Sequence, residues 1–351
     1  MASPAELDAM RRAITLAARG AASTRPNPAV GCVLLGPDGS IAGEGWHEVA
    51  GGPHAEVVAL RSAGENAHGA TAVVTLEPCR LVGRTDPCTE ALLAAGVARV
   101  VYAVDDPTGN GGGSAELRAA GVDVESGVLA AEAEQGNRRW LTAVRQGRAF
   151  VTWKYAATLD GRVAAADGTS RWITGTQARA DVHRLRAESD AVIVGIGTVL
   201  ADDPHLTTRH PDGSLADVQP LRVVVDSTGR TPAGARVCDD AAETWIVTAD
   251  DVGGANGRVD LTSLVACLLD RGRQVTLLEG GPTLAGGFVR AGLVDRIVGY
   301  LAPSLLGAGP PALGDAGIST LPAALRLAVD DVAQIGTDVR IVARPDRSEE
   351  T

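Results

Sequence analysis

Short apolar runs alternate with segments of helical periodicity along nearly the whole chain, and that alternation is what most limits the folds open to it. Within residues 4–21, Leu7, Met10, Ile14, Leu16 and Ala17 recur at helical spacing, and Arg25-Pro26-Asn27-Pro28 then breaks the chain. Apolar runs at 30–35 and 41–46 flank turn residues and read as a hairpin. A helical segment at 54–63 precedes the buried strand 71–76, another at 87–95 precedes the strand 99–104, and a helix ending at 117–120 precedes the short strand 122–124. This order predicts an α/β protein with a mixed sheet.

The pattern breaks near residues 145–148 and restarts with a strand at 150–156. Beyond it, strands are expected at 191–196, 222–225, 244–248, 275–278 and 296–301, with helices at 179–186, 261–270 and 283–291. A length of 351 residues suits two domains of roughly 150 residues each, and the boundary is placed to give 1–147 and 148–351. No fixed-period repeat occurs, and the charged tail from Pro345 is expected to fray.

Composition narrows the function classes. Aromatic residues are only 3% of the chain, so the cores must be built from Val, Leu, Ile and Ala. With 43 acidic against 32 basic side chains, the net charge of −11 argues against a nucleic-acid or anionic-membrane binder. No apolar run approaches a membrane span, and residues 1–12 lack the pattern of a signal peptide. The five cysteines are not spaced as a disulfide scaffold, so a reducing, cytoplasmic location is the default expectation. Cys32, Cys238 and Cys267 read as small core residues. Every basic side chain but one is Arg, the exception being Lys154.

Two constellations carry chemistry. The first is His54-Ala55-Glu56 at a helix start, Glu77-Pro78-Cys79 after a buried strand, and Pro87-Cys88 at another helix start. One His and two Cys are good zinc ligands with a fourth position left open. Zinc at such a site activates water at neutral pH. Glu56, in the same helical turn as His54, can shuttle the proton to departing ammonia without binding metal. The order H-x-E then P-C is that of zinc deaminases, although eight residues separate Cys79 and Cys88 where two are usual. Both cysteines are expected near helix starts, where the dipole favours thiolate. The bland alternative is two buried thiols and a capping histidine.

Four runs then carry a specific resemblance: Asn27-Pro28-Ala29-Val30-Gly31, His54-Ala55-Glu56-Val57, Val74 to Cys79, and Gly83-Arg84-Thr85-Asp86-Pro87-Cys88. Together they resemble the bifunctional deaminase–reductase family of riboflavin biosynthesis, and the likeness extends over nearly the whole chain. It implies a cytidine-deaminase-like three-layer domain with Zn2+ on His54, Cys79 and Cys88, Glu56 as proton shuttle, and Asn27, His47 and Asp106 near the substrate. Read alone, Asn27 is a turn residue, His47 a solvated residue after a strand, and the glycine loop 109–113 a flexible connector. The chain departs from the family where Leu81 replaces a His and Thr108 an Asn, so two substrate contacts are in question. Arg80 or Arg84 could take over one of them.

The second constellation lacks a G-x-G-x-x-G fingerprint. It has two glycine turns after apolar strands, Gly195-Ile196-Gly197-Thr198 and Glu279-Gly280-Gly281-Pro282-Thr283-Leu284. Backbone N–H groups at such helix starts can hold a pyrophosphate. Further runs, among them Lys154-Tyr155-Ala156, Trp172-Ile173-Thr174 and Val225-Asp226-Ser227, are similar to the reductase half of the same family. That resemblance implies a dihydrofolate-reductase-like domain using NADPH. By position, Ala156, Trp172, Thr198, Asp202, Ser227, Gly281, Pro282, Thr283, Leu284, Ala285, Gly286 and Gly287 would line the cofactor. Ser170, Arg186, Leu206, Arg209 and Glu279 would contact the substrate, with the two guanidiniums suited to a ribose phosphate. Their alternative is surface charge. Lys154 is expected to orient or protonate the sugar, against the alternative of a strand-end lysine in solvent.

The resemblance implies zinc-dependent deamination of 2,5-diamino-6-(5-phosphoribosylamino)pyrimidin-4-one, then NADPH-dependent reduction of its ribosyl group to ribityl, in a homo-oligomer. An impaired or altered deaminase half is the alternative. A nucleic-acid or nucleoside deaminase fused to an unrelated domain conflicts with the net charge. A binding protein that has lost its chemistry conflicts with the intact Glu56 and zinc donors.

Overall fold

The first helix begins where the sequence supplies a complete cap. The Ser3 hydroxyl accepts from the Glu6 N–H at 3.3 Å, the Glu6 carboxylate accepts from the Ser3 N–H at 2.6 Å, and Pro4 opens the helix. This computed structural model describes residues 1–81, 86–254 and 256–346, and the chain divides into two compact units, Met1–Gln146 and Gly147–Thr351.

The first unit runs α1 (Pro4–Gly20), β1 (Gly31–Leu35), β2 (Ile41–Trp46), α2 (Ala55–Ala63), β3 (Thr71–Leu76), α3 (Cys88–Ala94), β4 (Arg99–Val104), α4 (Gly113–Ala119), β5 (Asp123–Glu125) and α5 (Ala130–Gln146). Its sheet has the order β2-β1-β3-β4-β5. β1 is antiparallel to β2 and β3, and β3, β4 and β5 are parallel. Alternate side chains of each strand feed opposite faces. Val33, Val73 and Val101 pack with Met10 and Leu16 of α1 and with Trp140 and Leu141 of α5. Leu34, Val74 and Val100 pack with Ala55 and Ala59 of α2, Leu92 of α3 and Leu117 of α4. The result is the three-layer, cytidine-deaminase-like α/β domain that the sequence implies.

Glycine sets the height of α2. A Cβ on Gly43 or Gly45 of β2 would lie 2.5 Å from the carbonyl oxygens of Ala59 or Ala55, so helix and strand touch backbone to backbone. That contact fixes the helix start that carries His54. Helix α5 is absent from the sequence expectations. It has no capping residue before Ala130, and Gly136 and charged residues interrupt its sparse apolar positions.

The second unit runs β6 (Phe150–Thr158), α6 (Thr176–Ala187), β7 (Ala191–Gly195), α7 (Ile196–Asp202), β8 (Leu221–Val225), β9 (Thr244–Val247), α8 (Ala249–Val252), α9 (Leu261–Asp270), β10 (Val275–Leu278), α10 (Pro282–Arg290), β11 (Arg296–Ala302), β12 (Leu327–Ile335) and β13 (Asp338–Pro345). The sheet order is β12-β13-β11-β6-β10-β7-β8-β9. The strands from β11 to β9 are parallel, and β13 and β12 close one side as an antiparallel hairpin. Helices cover both faces of the parallel part, which is why its strands read as unbroken apolar runs. At the start of β6, the buried Arg148 grips Asp295 through two 2.8 Å bonds, and Asp295 also accepts from the Val151 N–H.

The hairpin β12–β13 lies beyond the expected elements. Most of β12 is exposed, so Val329 and Val332 never join into an apolar run. Pro345 ends β13, and the Asp346 N–H donates to the Arg326 carbonyl, so the expected fraying does not begin at Pro345. Residues 347–351 lie outside the described residues. No helix among the described residues is long and apolar enough to cross a membrane.

Candidate active sites

The first site gathers where α2, α3 and the end of β3 meet. His54 is the N-cap of α2, Glu56 lies in its first turn, and Cys88 opens α3. His54 Nδ1 lies 3.2 Å from Cys88 Sγ and 3.5 Å from Cys79 Sγ, and all three donor atoms fall within 4.8 Å of one another. Zinc–sulfur bonds of about 2.3 Å and zinc–nitrogen bonds of about 2.0–2.1 Å in a tetrahedron need separations of this size, so the donors fit that ion.

Cys79 itself sits in a loop rather than at the start of a helix, which corrects the sequence expectation. Its sulfur nevertheless accepts from the Cys88 N–H at 3.4 Å, so it lies at the start of α3 in space. Hydrogen bonding with Cys88 pulls the Cys79 thiol down to about 4, while that same bond and burial push Cys88 up. Glu56 is 4% exposed, and burial raises its pKa, so it is suited to carrying a proton.

The neighbours of this cluster are ordered. His47 is 3% exposed, which removes the solvated alternative. Its Nδ1 lies 3.0 Å from the Pro53 carbonyl and its Nε2 lies 3.3 Å from Asn27 Nδ2. These partners place the proton on Nδ1 and leave Nε2 as acceptor. Burial lowers the pKa of His47, and its ring stands edge-on to His54 at 5.5 Å.

Asp106 is held in a turn by the Thr108 N–H and hydroxyl at 2.8 and 2.7 Å. The glycine loop after it is a packed element, not a flexible connector. Buried Glu77 accepts from the N–H groups of Ser114 and Asp106, and Arg80 donates to the Gly111 carbonyl at 2.6 Å. A Cβ on Gly113 would sit 2.0 Å from the Pro78 carbonyl. Burial opposes the charge on Glu77, but the bonds from Ser114, Gly112 and Asp106 prevail and lower its pKa. Glu77 was absent from the sequence candidates, and its place directly before Pro78-Cys79 is the signal that could have found it. Leu81 is exposed, while Arg84 and the rest of 82–85 lie outside the described residues.

The second site forms at the carboxyl ends of β6, β10, β7 and β8, four neighbours in the sheet. A crevice at this edge is where open α/β sheets bind ligands. Gly195 and Gly281 are the N-caps of α7 and α10, and Thr198 Oγ1 lies 3.7 Å from where a Gly281 Cβ would be. Leu284 packs beneath Gly195 and Gly280. Ala156 lies in β6, and Ser227 follows β8, where its hydroxyl accepts from the Val259 N–H at 3.2 Å. Pro282 and Thr283 open α10. Further along that helix, Ala285 is buried in the core, Gly286 presses on the Asp315 carbonyl and Gly287 faces Leu261, so these three pack the helix. Trp172 is 69% exposed, with the Arg179 guanidinium 4.5 Å from its ring centre. Asp202 accepts from the Ser170 hydroxyl at 3.4 Å, and its carbonyl accepts from Arg171.

Beside this cradle lies a charged group of three. Lys154 is inside β6, in register with Val298, rather than at its end. Its Nζ is 3.6 Å from Glu279, which Arg186 grips with bonds of 2.6 and 3.1 Å. Burial lowers the pKa of Lys154. Burial would raise that of Glu279, but Arg186 and Lys154 hold it at about 2. Arg186 also donates to the Thr207 carbonyl at 3.0 Å. Arg186 is therefore an organised cation and not loose surface charge. Arg209 donates to the Gly213 carbonyl in its own turn, and buried Leu206 adopts a left-handed φ of 55°. Such a conformation in a bulky residue stores strain and concentrates at functional sites.

Residues 149–341 match the family described as RibD C-terminal domain, and residues 4–104 match the cytidine and deoxycytidylate deaminase zinc-binding region. The chain belongs to the RibD family. The riboflavin biosynthesis protein RibD of Mycobacterium tuberculosis is 50% identical over 341 residues, covering 96% of this chain and 97% of that one. The Escherichia coli RibD is 44% identical, covering 94% and 96%. Among solved structures, RibD of Acinetobacter baumannii superposes with a TM-score of 0.85 at 40% identity, covering 98% and 99%. A diaminohydroxyphosphoribosylaminopyrimidine deaminase/5-amino-6-(5-phosphoribosylamino)uracil reductase of Thermotoga maritima gives 0.82 at 33%, covering 97% and 99%. As a RibD, the chain is a bifunctional deaminase and reductase. Its first unit carries the zinc-binding deaminase region and its second the reductase domain.

Proposed function

We propose that this chain hydrolyses the amino group of 2,5-diamino-6-(5-phosphoribosylamino)pyrimidin-4-one in its first unit and reduces the ribosyl chain of the product with NADPH in its second. The observation that carries the reading is the convergence of His54, Cys79 and Cys88 beside a buried, protonatable Glu56. Zinc, when bound, supplies an activated water at neutral pH. Glu56 takes the proton from that water and delivers it to the departing amine, so water and the C–NH2 group become C=O and ammonia. Asn27, neutral His47 and Asp106 orient the pyrimidine.

In the second unit the α7 and α10 starts present backbone N–H groups to a dinucleotide, with Thr198, Asp202, Ser227, Ala156 and Trp172 around it. NADPH, when bound, supplies the hydride. Arg186 and Arg209 face the substrate phosphate. Lys154, kept close to Glu279, orients or protonates the sugar as its ring opens. A homo-oligomer, on the family resemblance, and a cytoplasmic location, the default expectation from the cysteine spacing and residues 1–12, complete the reading.

Each half-reaction, assayed on purified protein with its authentic substrate, tests this. About one zinc per chain is expected, with ammonia release from the diamino compound and NADPH oxidation on the deaminated one. Zinc-loaded protein that releases no ammonia would overturn the first half. Comparable kcat/KM with NADH would overturn the choice of NADPH.

A further inference from the structure

Helix α6 carries Arg179, His183 and Arg186 in one row. At 3.6 residues per turn the three lie within an arc of about 60°, to one side of Ala178, Val182 and Leu185, which bury against the sheet. Both ends of the row are engaged at the reductase site. Arg179 stacks on Trp172, and Arg186 holds Glu279 beside Lys154.

His183 stands between them. Its Nδ1 is buried and makes no hydrogen bond among the described residues. The ring has a hydrogen bond to the Thr207 backbone, and the charges around it are those of Arg186, Glu279 and Arg209. Buried polar atoms in native proteins nearly always have a partner, so an orphan beside a ligand site points to the ligand.

We infer that His183 is a further substrate-binding residue of the reductase, its Nδ1 hydrogen-bonded to a hydroxyl of the sugar chain. The inference rests on the reductase reading above. Arg186 and Arg209 already supply fixed cations for a phosphate. A hydroxyl both donates and accepts, so it satisfies Nδ1 in either tautomer, whereas a phosphate oxygen requires a donor. Burial and the Arg186 charge also lower the pKa of His183, which favours a neutral ring.

Three variants test the assignment: His183→Gln, His183→Leu and His183→Asn. The first two should raise KM for 5-amino-6-(5-phosphoribosylamino)uracil by up to about tenfold, the range of a lost neutral hydrogen bond, and act little on kcat or on KM for NADPH. His183→Asn places a polar atom near the position of Nδ1 and should recover most of the loss. The inhibition constant of inorganic phosphate should stay within about twofold in His183→Gln. Unchanged substrate KM in folded Gln and Leu variants overturns the inference. So does a loss confined to NADPH, or a matching loss of phosphate inhibition. Should the Leu variant misfold, the contrast between Asn and Gln decides. Wild-type protein that does not reduce this substrate overturns the reductase reading as well. Wild-type turnover with indifferent variants overturns this inference alone.

Discussion

The two units hold their polar machinery in opposite ways. In the deaminase unit two sulfurs and an imidazole nitrogen gather within 4.8 Å, a set of donor atoms suited to one cation. In the reductase unit Lys154 and Arg186 share the one carboxylate of Glu279, so each charge already has a partner. The first arrangement suits a metal, whereas the second is a network of charges satisfied within the protein. Substitutions should therefore behave differently in the two. Changes at the first site should abolish chemistry and spare the fold, while changes at the second should disturb a network in which each charge leans on another.

The largest expected effect is that of Glu56→Gln. The proton carrier is lost while the three metal donors remain, so deamination should fall by about 10²–10⁴-fold with zinc content unchanged. Reduction of supplied deaminated substrate should be nearly intact. An equal loss of reduction in folded protein would dissolve the contrast between the units.

Lys154→Arg comes next. It keeps the positive charge beside Glu279 but removes a cation whose pKa burial lowers, replacing it with one that does not give up its proton. Reductase kcat should fall by about 10²-fold if Lys154 transfers a proton, with deamination unaffected. Full reductase turnover would reduce Lys154 to a structural counter-charge.

The smallest effect sharpens the comparison within the first unit. Leu81 is 43% exposed, and neighbouring Arg80 is committed to the Gly111 carbonyl, so Arg80 does not simply replace a missing histidine. Leu81→His should improve deaminase kcat/KM several-fold, chiefly through KM, within the value of one neutral hydrogen bond at about 0.5–1.5 kcal/mol. Unchanged kinetics would make Leu81 a harmless variation.

These sites were not equally legible in the sequence. A metal demands particular side chains at fixed separations, and His54, Cys79 and Cys88 carry that demand in their identities, with Glu56 two residues from the first. The proposed cofactor cradle is made largely of backbone, from Gly195 and Gly281 after strands far apart in the chain, and glycine turns of that kind occur in any α/β protein. Its residues were reachable only through resemblance. His183 escaped because a lone His on a helix has no spacing to announce it, whereas Glu77 stood in plain view beside Pro78-Cys79 and was passed over because it is not a metal donor of the motif. The same physics governs the fold. Strands such as β3 and β4, buried on both faces, could be read to the residue, whereas α5 and the hairpin β12–β13 are only half covered and lack a continuous apolar signal.

The loop from Asp106 to Gly113 is fastened on one side by Glu77 and on the other by Arg80. Its conformational entropy is therefore surrendered once, when the chain folds, and not again at every encounter with a ligand. On the proposed reading of Asp106, a pyrimidine arriving at the deaminase would meet a wall already in its final shape, and no fraction of its affinity would be diverted into ordering that wall. Such a site should discriminate by fit at the moment of contact, rejecting a misshapen ring rather than moulding itself around it.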